Sequence, residues 1–216
     1  MRAVFPKIII ALSLYLILKY LGGTVGAVIL YPVTLLVTFL HEFGHALGAI
    51  LTGGSVQALQ INSDGSGYTV TAGGWKAIIL MGGYVGSAIL GNLLFYVAVK
   101  KPNSAVFTLY LLASVMVLAA IVWFNSIYTT LFLIFVSYIL YFVGSRRFLH
   151  QEVLMFLGIA SIIYIVQDFN IGPRSDLEEY ARTMLIFSPD VWMYIWLAVV
   201  VFICFVNIRW ILKNEQ

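Results

Sequence analysis

Long apolar stretches, each about as long as a membrane-spanning helix, follow one another along almost the whole chain. A helix that crosses a bilayer needs ~20 mostly apolar residues. By that rule the candidate spans are residues 6–22, 25–51, 75–99, 105–124, 127–145, 149–169 and 190–211. The uncharged run from Ser104 to Ser145 is too long for one crossing, so we divide it at Asn125-Ser126. The pattern predicts an all-α membrane protein, a polytopic transmembrane helix bundle of about six to seven spans that forms one domain over residues 1–216.

Two polar intervals interrupt the apolar pattern. In residues 53–74, two short arms with apolar residues at alternate positions flank a turn with the sequence SDGSG, although the first arm alternates imperfectly. This pattern predicts a short β-hairpin after the second span. In residues 170–189, Ser175 and Glu178 have the spacing of a capping box, and apolar residues then recur at helical intervals. We therefore predict an amphipathic surface helix before the last span.

Composition supports a multi-pass membrane protein whose immediate surroundings are a lipid bilayer. Hydrophobic residues make up 62% of the chain and charged residues only 10%, whereas soluble domains average about 25% charged residues. No basic run indicates binding to nucleic acid. The single cysteine, Cys204, excludes a disulfide framework within the chain. Nothing in the sequence predicts the oligomeric state.

The first apolar stretch has some features of a secretory signal peptide. Arg2 and Lys7 precede it, as positive charges precede the apolar region of a signal. Lys19 interrupts the stretch late, however, and no clear small-x-small cleavage site follows. We expect an uncleaved first span, with a cleaved signal as the alternative.

The chemistry of the chain is concentrated in the second span, in the sequence HEFGH. Ionisable groups in hydrocarbon are unfavourable, by ~2.5–3.5 kcal/mol each on insertion scales for Lys, Arg or Asp, and they usually mark function. His41 and His45 are four residues apart, so on a helix they share one face and can bind one metal ion. Glu42 lies about 100° round the helix, where it can reach a water bound to that metal. The pattern predicts a zinc site with Glu42 as general base.

A catalytic zinc ion needs a third protein ligand. The only other histidine, His150, is expected at the opposite end of the bundle, so carboxylates are the candidates. Counting alternating crossings, with residues 6–22 as the first, brings Asp168 to the same end as His41 and His45. Asp176 lies on the same side but further along the chain, and charge at the start of the surface helix would also explain it. We expect His41, His45 and Asp168 to be the ligands, with Asp176 as the alternative.

Small residues on the second and third spans predict that these helices cross closely. Gly44 and Gly48 have small-xxx-small spacing, and the third span contains the glycine-rich sequence MGGYVGSAILG. Asn92 follows that sequence. A buried amide needs hydrogen-bond partners, so we expect Asn92 either to act at the catalytic site, orienting substrate or polarising a carbonyl, or to form an interhelix hydrogen bond.

These residues resemble the site-2 protease family of zinc intramembrane metalloproteases, in particular its compact branch without a PDZ domain. The resemblance rests on HEFGH followed by GAILTGGSV, on the glycine-rich third span ending in GNLLF, and on a late aspartate. It implies that the metal site lies nearer the cytosol and that the hairpin presents an edge to an extended substrate. Two departures stand out: Asp168 follows Gln167 where the family has Leu-Asp-Gly, and Tyr84 follows Gly83 where the family has Gly-Pro.

The function expected from the sequence is that of a zinc-dependent intramembrane endopeptidase acting on a transmembrane protein substrate. The alternative is a catalytically inactive zinc-containing membrane protein that binds or shields membrane partners. The distribution of Lys and Arg weakly favours placing the end opposite the histidines in the cytosol, whereas the resemblance implies the reverse. We take the orientation implied by the resemblance as the expectation.

Overall fold

Membrane-spanning helices make up most of the structure, a computed structural model that describes residues 5–146, 149–169, 171–173 and 175–213. Arg2 lies outside the described residues. Six described segments are long and apolar enough to cross a bilayer. They are Gly23–Leu51, Lys76–Lys100, Pro102–Val122, Ile127–Gly144, His150–Gln167 and Pro189–Lys213. The chain is therefore an all-α, multi-pass membrane protein, which confirms the predicted fold class.

The elements are numbered in chain order. The first helix, α1, is Phe5–Leu16 and continues into a π-helical turn, Ile17–Leu21, before α2, Gly23–Leu51. Strands β1, Ser55–Ile61, and β2, Gly67–Ala72, form the predicted hairpin. The next span consists of α3, Lys76–Met81, a second π-helical turn, Gly82–Gly86, and α4, Ser87–Lys100. The remaining helices are α5, Ala105–Val122; α6, Ile127–Gly144; α7, His150–Gln167; α8, Asp176–Met184; and α9, Pro189–Lys213.

The N-terminal helical segment departs from a simple alternation of crossings. It comprises 12 residues of α1 and 5 of the π-helical turn, which together fall short of the ~20 residues of a full crossing. Lys7 Nζ lies 2.5 Å from Glu152 Oε1 near the start of α7, and Gln167 Nε2 at its end donates to the Tyr20 hydroxyl over 2.6 Å. The segment therefore runs parallel to α7. If the seven predicted spans crossed the membrane in alternating directions, the first span and the sixth span, which contains α7, would be antiparallel.

The close crossing predicted from the glycines is confirmed. A methyl group added to Gly44 on α2 would lie 2.1 Å from the carbonyl oxygen of Gly82, and one added to Gly48 would lie 2.9 Å from that of Ile78. Both distances are too short for a carbon atom beside a backbone oxygen. Only glycine lets the two backbones approach this closely, and the approach brings the π-helical turn against the histidines of α2.

The hairpin is fixed to the helices on both sides. Its strands pair antiparallel from Ser55 with Ala72 to Ile61 with Gly67, and a bulge between Val56 and Ala58 accounts for the imperfect alternation of the first arm. The backbone N–H and C=O of Ile61 both bond the Thr129 hydroxyl at the start of α6, over 3.0 and 3.1 Å. These bonds hold the hairpin in place where β2 passes beside α2.

The predicted amphipathic helix is α8, and its apolar face packs against α9. Ser175 caps it, accepting a hydrogen bond from the backbone N–H of Glu178 over 3.2 Å. Leu177 and Tyr180 are buried, and the Tyr180 ring lies 4.7 Å from the Trp196 ring of α9. Since α9 holds α8 by this face, the first residue of α8, Asp176, is held in a defined position.

Candidate metal centre

The two imidazoles of α2 converge on a single carboxylate oxygen. Nε2 of His41 lies 3.0 Å, and Nε2 of His45 lies 3.2 Å, from Oδ2 of Asp176. Two ligand atoms bound to zinc at ~2.0–2.2 Å with tetrahedral geometry are roughly 3.3 Å apart. Both nitrogen–oxygen distances therefore approximate the separation between two ligand atoms of one zinc ion.

A backbone hydrogen bond determines which nitrogen His45 presents. Its Nδ1 lies 2.7 Å from the carbonyl oxygen of Ile79. A carbonyl only accepts hydrogen bonds, so Nδ1 carries a proton and Nε2 is the nitrogen that faces Asp176. Metal-binding histidines commonly have such a bond on the other ring nitrogen, because it fixes both the tautomer and the orientation of the ring.

Ring contacts hold the other imidazole in place. The ring of His41 lies 4.7 Å from that of Tyr84 in an edge-to-face arrangement and 4.8 Å from that of His45. Its Nδ1 is buried and has no hydrogen-bond partner within the part of the chain that the structure describes. Tyr84, the residue that departs from the family pattern, therefore supports His41 through its ring. Its hydroxyl donates to the backbone carbonyl of Asp168 over 3.2 Å.

Glu42 is buried between α2 and the hairpin. Only 5% of the residue is exposed, and its Oε2 accepts a hydrogen bond from the Thr69 hydroxyl over 2.8 Å. A ligand atom of Glu42 lies within 4.8 Å of those of His41 and His45. The carboxylate is thus close to the imidazoles, although Asp176 is closer.

The hairpin packs closely against one side of the Glu42 side chain. A methyl group added to Gly67, the first residue of β2, would lie 2.8 Å from both Cγ and Oε1 of Glu42. The glycine lets the strand pass directly over the glutamate side chain. Both Thr69 and Gly67 therefore restrict the positions that this carboxylate can occupy.

All these groups line one cavity of about 630 Å³. Its walls include the two histidines, Glu42, residues 65–69 of the hairpin, and both Asp168 and Asp176. Asp168 therefore shares the cavity with the histidines, as the count of crossings predicted. Among the described residues, however, no ion pair joins its carboxylate to either imidazole, whereas Asp176 contacts both.

The pKa values of the two aspartates also shift in opposite directions. Burial alone would raise the pKa of Asp176, but the adjacent His45 and His41 hold it well below its ordinary value. Burial raises the pKa of Asp168, and the neighbouring Asp176 adds to the rise while His41 and Lys19 oppose it. A carboxylate must be deprotonated to bind a metal, so electrostatics as well as distance favour Asp176 over Asp168.

The structure does not bring Asn92 to the histidines. Its Nδ2 donates to the carbonyl oxygen of Ala88 over 2.9 Å, and its Oδ1 accepts from Nδ2 of Asn207 on α9 over 2.9 Å. The Asn92 amide therefore joins α4 to α9, which is the interhelix hydrogen bond that the sequence left open as the second role.

Three contributions to the site could not be recognised in the sequence. Thr69 and the Ile79 carbonyl orient Glu42 and His45, but neither belongs to a motif. The glycine-rich sequence predicts helix packing at Gly83, yet a methyl group there would lie 2.5 Å from Nε2 of both histidines. The π-helical turn carries Gly83 directly to the two Nε2 atoms, and such turns are frequent at functional sites.

We expect Gly83→Ala to weaken metal binding, because the added methyl group would displace both Nε2 atoms. The expected loss in zinc affinity is at least about 10-fold, as for other disturbances of metal-ligand orientation. The measurement is zinc content of the purified protein under chelator competition. Gly86→Ala is the matched control on the same turn, since the nearest atom to its methyl group would be Gly44 Cα at 3.2 Å and neither imidazole would be close to it. Equal zinc affinity in the two variants would contradict the role of Gly83.

Comparison with known proteins identifies the family. The family model described as Peptidase M50B-like matches residues 8–207. No curated protein and no solved structure matches the chain. The matched range includes the histidines, Glu42 and both aspartates. Because the match covers nearly the whole chain, the protein belongs to the Peptidase M50B-like family, the site-2 protease family of membrane metalloproteases.

Proposed function

We propose that the protein is a zinc-dependent intramembrane endopeptidase that hydrolyses peptide bonds of membrane-embedded protein substrates. The observation that carries this proposal is the convergence of His41 Nε2, His45 Nε2 and Asp176 Oδ2 at distances of 3.0 and 3.2 Å, with the Glu42 carboxylate beside them. Two neutral nitrogens, one carboxylate and an adjacent acid are the donor set of a catalytic zinc site.

In this proposal His41, His45 and Asp176 hold the zinc ion. The ion, when bound, supplies Lewis-acid chemistry: it makes water more acidic and polarises the carbonyl of the scissile bond. Asp176 takes the role that the sequence assigned to Asp168, because its Oδ2 contacts both imidazoles. Asp168 would then be a cavity-lining acid near the site.

Glu42 acts as the general base. Glu42 follows His41 directly, so its side chain leaves α2 about 100° round the helix axis from that of His41. Its carboxylate therefore lies beside the two imidazoles and not on the helix face that they share. Thr69 donates to Oε2, which leaves Oε1 to accept a proton from the attacking water. The same carboxyl group can return that proton to the leaving amine, as general acid–base catalysis requires.

The hairpin supplies a binding site for an extended substrate. Within the described residues it contains two strands, so β2 has one edge free of strand pairing. This strand is the one that carries Thr69 and passes over Glu42. A substrate segment that adds to this edge would form main-chain hydrogen bonds, which would bring its peptide bonds close to Glu42.

Metal removal tests the proposal. Purified protein in detergent should contain bound zinc and should cleave a quenched fluorescent casein used as an unfolded probe. Treatment with 1,10-phenanthroline should abolish the cleavage, and added Zn²⁺ should restore it. Cleavage that persists without metal would contradict the proposal. Zinc-containing protein that captures membrane proteins but cleaves neither them nor the probe would favour the inactive binding protein.

A further inference from the structure

Three consecutive apolar side chains are exposed between α8 and α9. They are Leu185, Ile186 and Phe187, here called the apolar connection, and their exposed fractions are 86%, 62% and 48%. The connection lies outside the six segments that can cross the bilayer, so membership of a spanning helix does not account for its composition. Large apolar side chains exposed together usually mark a surface that contacts a partner or a membrane.

Leu185 has a backbone conformation that leucine seldom adopts. It follows the last residue of α8 with φ 57° and ψ 18°, and among the described residues it is the only one other than glycine with a positive φ. Helices commonly end in this left-handed conformation with glycine, because a Cβ atom makes it unfavourable. The leucine side chain has few contacts within the chain, so contacts outside the chain are needed to offset the strain.

The charged residues of α9 place the connection at the edge of the hydrocarbon core. Asp190 and Arg209 are both exposed, and no charged residue lies between them. At 1.5 Å per residue, roughly 28 Å of helix separates the two positions, which is close to the ~30 Å thickness of the hydrocarbon core. Asp190 therefore marks one boundary of the core, and Phe187 precedes it by at most about 11 Å of chain.

The connection also continues a surface that faces lipid. Helix α9 lies at the edge of the bundle, since only 17% of its most apolar stretch is buried. Val191 and Tyr194 are exposed at its start. The Phe187 ring lies 5.5 Å from the Trp192 ring on the first turn of α9, and tryptophan near the end of a span is typical of the membrane interface.

A protein partner or a second copy of the chain fits this surface less well. A specific protein interface covers about 800 Å² on each partner, which is more than three side chains supply. The neighbouring surface of α8 is charged, because Arg182 is exposed and pairs with Glu178. The interfacial region of a bilayer accommodates both parts, with apolar side chains in the acyl layer and charged ones among the headgroups.

We infer that Leu185, Ile186 and Phe187 insert into the lipid bilayer, in the leaflet nearer the metal centre, and anchor the end of α8 there. The anchor holds at the membrane surface the helix whose first residue, Asp176, contacts both imidazoles. The inference concerns contact with lipid and is independent of proteolysis.

Spin labels measure the depth of single positions in a bilayer. In a Cys204→Ala background, Leu185→Cys and Ile186→Cys carry a nitroxide on the apolar connection. Arg182→Cys, exposed on α8, is the control for water, and Phe202→Cys, exposed on α9, is the control for hydrocarbon. The full chain is reconstituted into phosphatidylcholine vesicles. The collision rates of each label with oxygen, which concentrates in hydrocarbon, and with a water-soluble nickel complex are then compared.

We expect the ratio of oxygen to nickel collisions at both connection positions to be several-fold higher than at position 182 and lower than at position 202. A ratio equal to that at position 182 would place the connection in water and overturn the inference. Labels shielded from both reagents would show that protein covers the connection, which would also overturn it. The two positions are measured in separate variants, so a disturbance caused by one label leaves the other position as the test.

Discussion

Replacement of Glu42 by glutamine should leave zinc bound and remove peptide-bond cleavage. Glutamine has the size of glutamate and can still accept the hydrogen bond from Thr69, so the hairpin should remain in place. It has no basic carboxylate, however, and cannot take a proton from water. We expect the turnover rate to fall by roughly 10²–10⁴-fold, the usual contribution of a general base.

The measurements for this variant are zinc content and initial cleavage rate of the same purified sample. Glu152→Gln is a suitable control, since it removes a carboxylate at the opposite end of the bundle, where Glu152 pairs with Lys7. This control should cleave at the rate of the unmodified protein. A Glu42→Gln variant with undiminished cleavage would exclude Glu42 as the base, and one that loses zinc would indicate that Glu42 is a ligand.

Asp176→Asn and Asp168→Asn should separate the two candidate third ligands. Asparagine at position 176 keeps the size of the side chain but removes the charge that faces both imidazoles. We expect the zinc affinity of this variant to fall by more than the ~10–100-fold that loss of an outer-shell partner causes. Asparagine at position 168 should leave the affinity nearly unchanged, because that carboxylate forms no ion pair with either histidine among the described residues.

Zinc content after dialysis against a graded series of chelator concentrations provides the comparison. The two substitutions are chemically identical and line the same cavity, so each is the control for the other. If only Asp168→Asn loses zinc, the ligand expected from the sequence is correct and the proposed role of Asp176 fails. A loss in both variants would mean that the two carboxylates share the metal.

The elements that depend on local sequence were predictable. Apolar runs of sufficient length predicted the six segments that can cross the membrane, and the SDGSG turn predicted the hairpin. The spacing of His41 and His45 predicted a shared helix face, and the glycines predicted the close crossing of α2 with the next span. In each case the information lies within a few residues, where helical or strand periodicity applies.

The elements that depend on distant contacts were not predictable. His41 and Asp176 are 135 residues apart, and they meet because Leu177 and Tyr180 seat α8 on Trp196. Lys7 and Glu152 are 145 residues apart, and their pairing sets the direction of the N-terminal segment. Neither contact leaves a periodic or spacing signal. Asn92 was ambiguous for the same reason, since its partner Asn207 lies on a helix 115 residues away.

The separation of the imidazoles from Asp176 has a consequence for biosynthesis. During translation α2 enters the bilayer long before α8 has been made, and Trp196, against which Tyr180 of α8 packs, is made later still. The three-atom cluster can form only after α8 has been synthesised, 135 residues after His41. A nascent polypeptide that has not yet reached α8 therefore lacks the cluster, so the proposed site is not assembled while the earlier spans are being inserted.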